Sequence, residues 1–180
     1  MFLWLSLLKL FSVSEEKIMT KKYDVYGIGN ALVDMVFEVS TSFLEQMKIR
    51  KGLMTLVDQH RQTELLEALD DLGIVASRSC GGSAANTMIA ISQLGGNSFY
   101  SCKAAADEAG DFYMQDLRSC GIATNLGDDR EEGVTGKCMV FVTPDADRTM
   151  SSFLGITEKF SIKELKEEDL KNSEYLYIEG

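Results

Sequence analysis

Histidine and closely spaced cysteines, the usual ligands of zinc and redox sites, are almost missing from this chain. The one histidine, His60, lies in a polar stretch with no cysteine cluster beside it, and we interpret it as a surface residue. The four cysteines stand far apart, at positions 80, 102, 120 and 138, and form no CxxC pair. This spacing excludes the common zinc and thiol-redox motifs and predicts reduced thiols in a cytoplasmic protein.

Basic residues are also scarce. The chain has 18 Lys and Arg against 28 Asp and Glu, a formal net charge of −10. Nucleic acids and anionic membrane surfaces need a positive surface, so both are disfavoured as general partners. A small anionic ligand held in a local pocket is still compatible with this balance.

No apolar run is long enough to cross a membrane. The chain opens with "MFLWLSLLKLFSVSEEKI", residues 1–18, in which the apolar run is too short for a bilayer and is interrupted by Lys9. It lacks the basic start and the small-residue cleavage site of a signal peptide. We interpret residues 1–18 as an extension or a mis-assigned start, with Met19 as the natural beginning. A membrane anchor is the less favoured alternative.

What is present is an alternation of extended and helical patterns over 19–180, a length that suits one domain. Short β-rich runs alternate with amphipathic stretches such as 59–71, which Asp58 can cap, and about 108–119. This alternation predicts an α/β fold with a doubly wound, mainly parallel sheet. The predicted strands include 23–29, 74–80, 98–104 and the final "YLYIEG".

The pattern changes near residue 136. "GKCMVFVTPDADRTMSSFL" reads as two extended runs about a Pro-Asp turn, which indicates a β-hairpin. Together, segments of about 35–57 and 137–153 predict a small β accessory element. Ser161 and Glu164 then form a capping box that predicts a charged helix to about Asn172.

One stretch suggests a binding site: "CGGSAANTMIAISQLGG", residues 80–96. Gly81 and Gly82 permit close approach of a ligand to the backbone, and the helix start offers unpaired N–H donors. Asn86 can bind a pair of hydroxyls, and we expect Asp34 to follow the first strand, where α/β proteins bind ligands. Together these residues would suit a polyol or sugar ring. On spacing alone, a helix cap plus an ordinary surface Asp is the slightly favoured interpretation.

Three other patterns fail as functional motifs. "GIGNAL" lacks the third glycine of a dinucleotide fingerprint and leads into extended chain instead of a helix. "GVTGKC" is too short for a phosphate-binding loop and ends in Cys where Ser or Thr is needed. The acidic run 128–132 lacks the alternating ligand spacing of a calcium loop, so we predict no metal site.

Several motifs, in the right order, resemble the ribokinase-like kinases, the PfkB carbohydrate kinase family. "GGSAANTMIAISQLGG" is similar to that family's N-terminal signature, and "KAAADEAGDF" to its strand-to-helix passage. "GVTGKCMVFVTPDADRTM" resembles its lid hairpin, and "GNALVD" is closer to the adenosine-kinase-like branch. The resemblance runs from about Tyr23 to the last residue. It implies a ribokinase-like fold with a β lid, present as the N-terminal part only.

The resemblance also implies a function: transfer of a phosphate from ATP to a hydroxymethyl group of a sugar or nucleoside. In that family Asp34 would hold ring hydroxyls, Gly81 and Gly82 would supply backbone contacts, and Asn86 would bind a further hydroxyl. Arg148 would contact the transferring phosphate. In some relatives the lid hairpin forms a dimer interface, which makes a homodimer possible here.

The family's catalytic parts, a Gly-Ala-Gly-Asp loop and an Asn-x-x-Glu metal motif, do not occur in these 180 residues. ATP and Mg²⁺ are therefore expected to bind in a full-length parent protein and not to this chain. The leading hypothesis is a substrate-binding half of a kinase, inactive alone. A non-catalytic sugar- or nucleoside-binding module is the alternative, and a Rossmann oxidoreductase is disfavoured by the failed glycine pattern.

Overall fold

The structure, a computed structural model, describes residues 21–179, so the predicted extension at 1–18 lies outside the described residues. Within this range the chain forms nine strands and five α-helices. The strands are β1 (Tyr23–Ile28), β2 (Leu32–Glu38), β3 (Met54–Leu56), β4 (Ser77–Gly81), β5 (Ser98–Ser101), β6 (Ala123–Thr124), β7 (Gly136–Val142), β8 (Arg148–Phe153) and β9 (Ser173–Ile178). The helices are α1 (Thr41–Gln46), α2 (Gln59–Asp71), α3 (Ser83–Gln93), α4 (Glu108–Ser119) and α5 (Glu167–Lys171). No helix among residues 21–179 is long and apolar enough to span a bilayer.

The first sheet has the strand order β6-β5-β1-β9, and all of its neighbouring pairs are parallel. One face is covered by α3 and α4, whose buried residues include Met88, Tyr113 and Leu117. On the other face Tyr26 stacks on Phe99 with the ring centroids 5.0 Å apart, and residues near α5 pack against them. Helical segments therefore cover both faces, as predicted for a doubly wound sheet.

The second sheet is the β accessory element, and it is larger than predicted. Its strand order is β3-β8-β7-β2-β4, with β7 and β8 forming the predicted antiparallel hairpin. One face packs on α1 and α2 through a core that contains Phe37, Phe43 and Phe141. The centroids of the Phe37 and Phe141 rings are 6.1 Å apart. We call this five-stranded sheet the lid sheet.

The assignment of residues 74–80 to the parallel sheet is wrong. This segment forms β4, which pairs antiparallel with β2 at the edge of the lid sheet. Central strands of a parallel sheet are buried on both faces and need continuous apolar sequence. Ser77, Arg78 and Ser79 are instead exposed, so this segment is suited only to an edge.

The predicted charged helix from Ser161 to Asn172 is also broken into two pieces. The capping box at Ser161 and Glu164 is present, but it begins a 3₁₀ turn that ends at Glu164, and α5 follows separately. Between them Leu165 is extended and packs against the Tyr26 cluster, and the Lys166 N–H donates to the Tyr26 hydroxyl at 2.9 Å. Tertiary contacts therefore override the local helical pattern.

Candidate functional site

Asp34 and Gly81 are brought together by the pairing of β2 with β4. A Cβ atom built on Gly81 would lie 2.0 Å from Oδ1 of Asp34, so only glycine leaves room for this carboxylate. Asp34 follows the first strand in sequence, and it lies within β2, which begins at Leu32. The carboxylate is therefore fixed on a rigid sheet.

Polar side chains share one face of the lid sheet with Asp34. In register, Asp34 lies between Ser79 of β4 and Cys138 of β7, and Cys138 pairs with Ser152 of β8. The Ser152 hydroxyl donates to the Cys138 sulfur at 3.3 Å. Arg148 is exposed at the start of β8 and pairs with Val142 of β7. Val142 is four residues beyond Cys138, and side chains an even number of residues apart on a strand share a face. Arg148 therefore lies on the same face as Asp34.

The electrostatics of this row depend on Asp34 and Arg148. Burial raises the pKa of the Asp34 carboxyl above its usual value, and the positive charge of Arg148 partly offsets this shift. Burial also raises the pKa of the Cys138 thiol, which therefore stays protonated at neutral pH. The charge of Arg148 therefore acts on the Asp34 carboxyl without an ion pair between the two side chains.

The raised pKa of Asp34 has a testable effect on stability. A carboxyl whose folded-state pKa is raised contributes stability that is lost as pH rises through that pKa, so ionised Asp34 destabilises the fold at neutral pH. We expect Asp34→Asn to raise Tm at pH 7 by a few degrees, at about 2–4 °C per kcal/mol. The gain should shrink towards about pH 4, where an ordinary Asp titrates. Circular dichroism melts at the two pH values test this, and an equal Tm difference at both would contradict it.

The start of α3 lies beside this row. Gly82, at the N-cap, has φ +93, and a Cβ on it would lie 2.5 Å from the carbonyl oxygen of Asn30. The first hydrogen bond within the helix is from the Asn86 N–H to the Gly82 carbonyl at 3.0 Å. The N–H groups of residues 83–85 precede this bond and have no acceptor within the helix. These donors are available at the helix end that favours negative or electron-rich groups.

A cavity of about 140 Å³ opens next to these groups. It is located at the carboxyl ends of the neighbouring parallel strands β1 and β9, where open α/β sheets bind ligands. Glu179 follows β9 and accepts hydrogen bonds from the hydroxyls of Ser83 and, at 2.9 Å, Tyr177. The residues that line the cavity are Asn30, Leu32, Gly82, Ser83, Ala84 and Glu179.

Of the residues predicted from the sequence, Asp34, Gly81 and Gly82 form a contiguous group. Asn86 is exposed on α3, one turn from the cavity, and does not line it. Sequence reasoning missed Asn30 and Glu179. Each is a polar residue within two positions of the end of a parallel strand, and that position was the signal that would have identified them.

The described residues do not form a metal site. Among residues 21–179, no three His, Cys, Asp or Glu side chains are grouped so that they could hold a metal ion.

Comparison with known proteins identifies related kinases. The family model described as "pfkB family carbohydrate kinase" matches residues 56–180. The structure of a probable sugar kinase from Rhizobium etli CFN 42 superposes with a TM-score of 0.78 at 29% sequence identity, covering 88% of this chain and 47% of that one. An adenosine kinase from Sinorhizobium meliloti superposes with a TM-score of 0.75 at 34% identity, covering 87% of this chain and 47% of that one.

An adenosine kinase from Anopheles gambiae, solved with P1,P4-di(adenosine-5) tetraphosphate, has a TM-score of 0.73. At 21% identity over 86% of this chain and 47% of that one, it supports the fold alone. The chain thus spans about half the length of these related structures.

Proposed function

The chain belongs to the pfkB family of carbohydrate kinases, and we propose that it is the substrate-binding, N-terminal half of an ATP-dependent sugar or nucleoside kinase. In the complete protein the γ-phosphate of ATP would be transferred to a hydroxymethyl group of the substrate. The observation that carries this proposal is the Asp34 carboxylate seated against Gly81, beside a cavity at the start of α3.

The chemistry of the site supports a polyhydroxy substrate. Ionised Asp34 and Glu179 accept hydrogen bonds from hydroxyls, and such charge-assisted bonds contribute about 1.5–3 kcal/mol each. The N–H groups at the start of α3 would donate to ring or hydroxyl oxygens. A cavity of about 140 Å³ is smaller than the roughly 300–1,000 Å³ of typical small-molecule sites, which fits a site that holds one ring of the substrate.

ATP and Mg²⁺ belong to the part of the proposal that concerns the complete protein. Mg²⁺ bound with ATP neutralises charge on the transferring phosphate. No group of three or more possible metal ligands occurs among residues 21–179, and we assign no step through the metal to them. Arg148 is the one predicted phosphate contact in this chain, and its position on the same face of the lid sheet as Asp34 is compatible with that role.

The test of the proposal is Asp34→Ala in a longer protein that contains this chain. Loss of one charge-assisted hydrogen bond of about 1.5–3 kcal/mol should lower kcat/KM for the substrate by at least about tenfold. A coupled ATP-turnover assay with a panel of sugars and nucleosides measures this. Asp70→Ala, which removes an exposed carboxylate on α2, is the matched control and should leave kcat/KM unchanged.

Two results would count against different parts of the proposal. Kinetics unaffected by Asp34→Ala would remove this residue from the site. Binding of a sugar or nucleoside that depends on Asp34, with no turnover of ATP by the complete protein, would favour the alternative of a non-catalytic binding module.

The proposal extends to partners and location. Met54 and Leu56 are exposed apolar residues on β3, an edge strand of the lid sheet, and they suit a homodimer formed through the lid. The four cysteines are free thiols, which suits the cytoplasm. A small-molecule substrate, with no nucleic acid or membrane, is the expected partner.

A further inference from the structure

A second cavity, of about 190 Å³, lies at the carboxyl ends of β5 and β6. The strand order β6-β5-β1-β9 separates it from the candidate substrate cavity, which is at the ends of β1 and β9. The two cavities share no lining residue. Carboxyl ends of parallel strands are where open α/β sheets bind ligands, so this position is suited to a separate site.

The floor of this cavity contains a buried lysine, which is rare in proteins without a specific partner. The Lys103 side chain is 7% exposed, and its ammonium donates to Glu164 at 2.5 Å and to Glu131 at 3.0 Å. Burial alone would lower the pKa of Lys103, but the hydrogen bonds that its ammonium donates to Glu164 and Glu131 outweigh this effect, and the pKa is raised. Lys103 is therefore a fixed positive charge.

The two carboxylates around Lys103 are held very differently. The Glu164 side chain is 10% exposed and also accepts from the Ser161 N–H, so it is part of the framework. The Glu131 side chain is 59% exposed on the acidic loop. A carboxylate from solution would therefore replace that of Glu131 on Lys103 without disturbing the fold.

The side chains that line the cavity include one more cation than carboxylates, although the chain is acidic overall. Four cations line it, Lys103, Arg130, Lys163 and Lys166, against three carboxylates. The Arg130 side chain is fixed by an ion pair with Asp111 and by hydrogen bonds to the carbonyls of Ala105 and Gly127 at 3.0 and 2.7 Å. Lys163 and Lys166 are exposed at the rim and form no ion pair with any residue of 21–179.

We propose that this cavity binds a small dicarboxylate anion. One carboxylate of the ligand takes the place of Glu131 on Lys103, and the other is bound by Lys163 and Lys166 at the rim. Glu131 already occupies the first position, so the chain itself shows that a carboxylate fits there. The second carboxylate would give Lys163 and Lys166 the ion-pair partner that they lack among residues 21–179, next to the ion pairs of Lys103 with Glu131 and Glu164. This site is independent of the proposed kinase function.

Equilibrium dialysis of the full chain against radiolabelled succinate tests the proposal, and this method tolerates self-association. Lys163→Ala combined with Lys166→Ala should weaken succinate binding by at least about tenfold, the effect of removing both rim charges. Lys48→Ala combined with Lys159→Ala removes the same charge from exposed positions elsewhere and should leave binding unchanged. Propionate, with one carboxylate, should compete at least about tenfold less well than succinate.

Two further variants make the result decisive. Glu131→Gln removes the competing carboxylate and should tighten succinate binding about threefold, a gain that a general loss of structure cannot produce. Asp34→Ala should have no effect, because Asp34 does not line this cavity. Absence of succinate binding at millimolar concentration, or equal losses in the two lysine double variants, would overturn the proposal.

Discussion

In a full-length kinase that contains this chain, Gly81→Ala should lower kcat/KM by about hundredfold. The new methyl group would lie 2.0 Å from Oδ1 and 2.2 Å from Cγ of Asp34, far inside van der Waals contact. Asp34 must then leave its position, or β4 must move away from β2. Displacing an anchored carboxylate and its bound hydroxyl amounts to a loss of about 3 kcal/mol in transition-state binding, close to hundredfold. Steady-state kinetics against the substrate measure this loss.

A double-mutant cycle shows whether the loss acts through Asp34. In an Asp34→Ala background the methyl group has room, so adding Gly81→Ala should change kcat/KM by less than about threefold. Gly127→Ala is the matched control, because a Cβ there approaches only the exposed Asp129 side chain, and its kinetics should stay normal. Additive losses from Gly81→Ala and Asp34→Ala would show that the two residues act independently.

The elements best predicted from the sequence are those with strong local signals. For α2, the apolar stripe and the capping Asp58 fix the bounds 59–71, and the Asp58 carboxylate does accept from the Arg61 N–H at 2.8 Å. For the hairpin of β7 and β8, the Pro-Asp turn between two extended runs was sufficient. In both cases the signal and the structure lie within a few residues of each other, so no distant contact was needed to predict them.

The elements that were mispredicted depend on distant contacts. The antiparallel pairing of β4 with β2 joins segments separated by two helices and a strand, and nothing local distinguishes it from a parallel strand. The break at Leu165 arises because that side chain packs on Tyr26, which is far away in the sequence. Propensity is a weak guide wherever tertiary packing decides the conformation.

The site was predicted only in part for the same reason. Gly81, Gly82 and Asp34 were identified because glycines before a helix and a carboxylate near a strand are local signs of binding. Glu179 faces the cavity only because β9 pairs with β1 in parallel, with Ile178 opposite Ile28. That pairing cannot be deduced from either segment alone.

Strand β9 forms one edge of the first sheet. Among residues 21–179, β9 has β1 on one side and no strand on the other. Tyr175, Leu176 and Ile178 are 65%, 52% and 66% exposed, so both faces of this strand present apolar side chains to solvent. Unpaired backbone groups next to exposed apolar side chains favour pairing with another chain.

The 180 residues produced as an isolated chain should therefore self-associate and show no ATP turnover. Catalysis of phosphoryl transfer depends on positioning and charge stabilisation, and the Gly-Ala-Gly-Asp loop and Asn-x-x-Glu motif of the resembled family are not in this sequence.

Sedimentation velocity should detect oligomers whose share falls several-fold in Ile178→Lys, since a charge on an edge strand opposes pairing. Leu94→Lys, at an 89% exposed position at the end of α3, is the matched control and should not change the share. A monodisperse, cooperatively melting wild-type monomer would show that the β9 edge does not drive association, and Asp34-dependent ATP turnover would refute the expected inactivity.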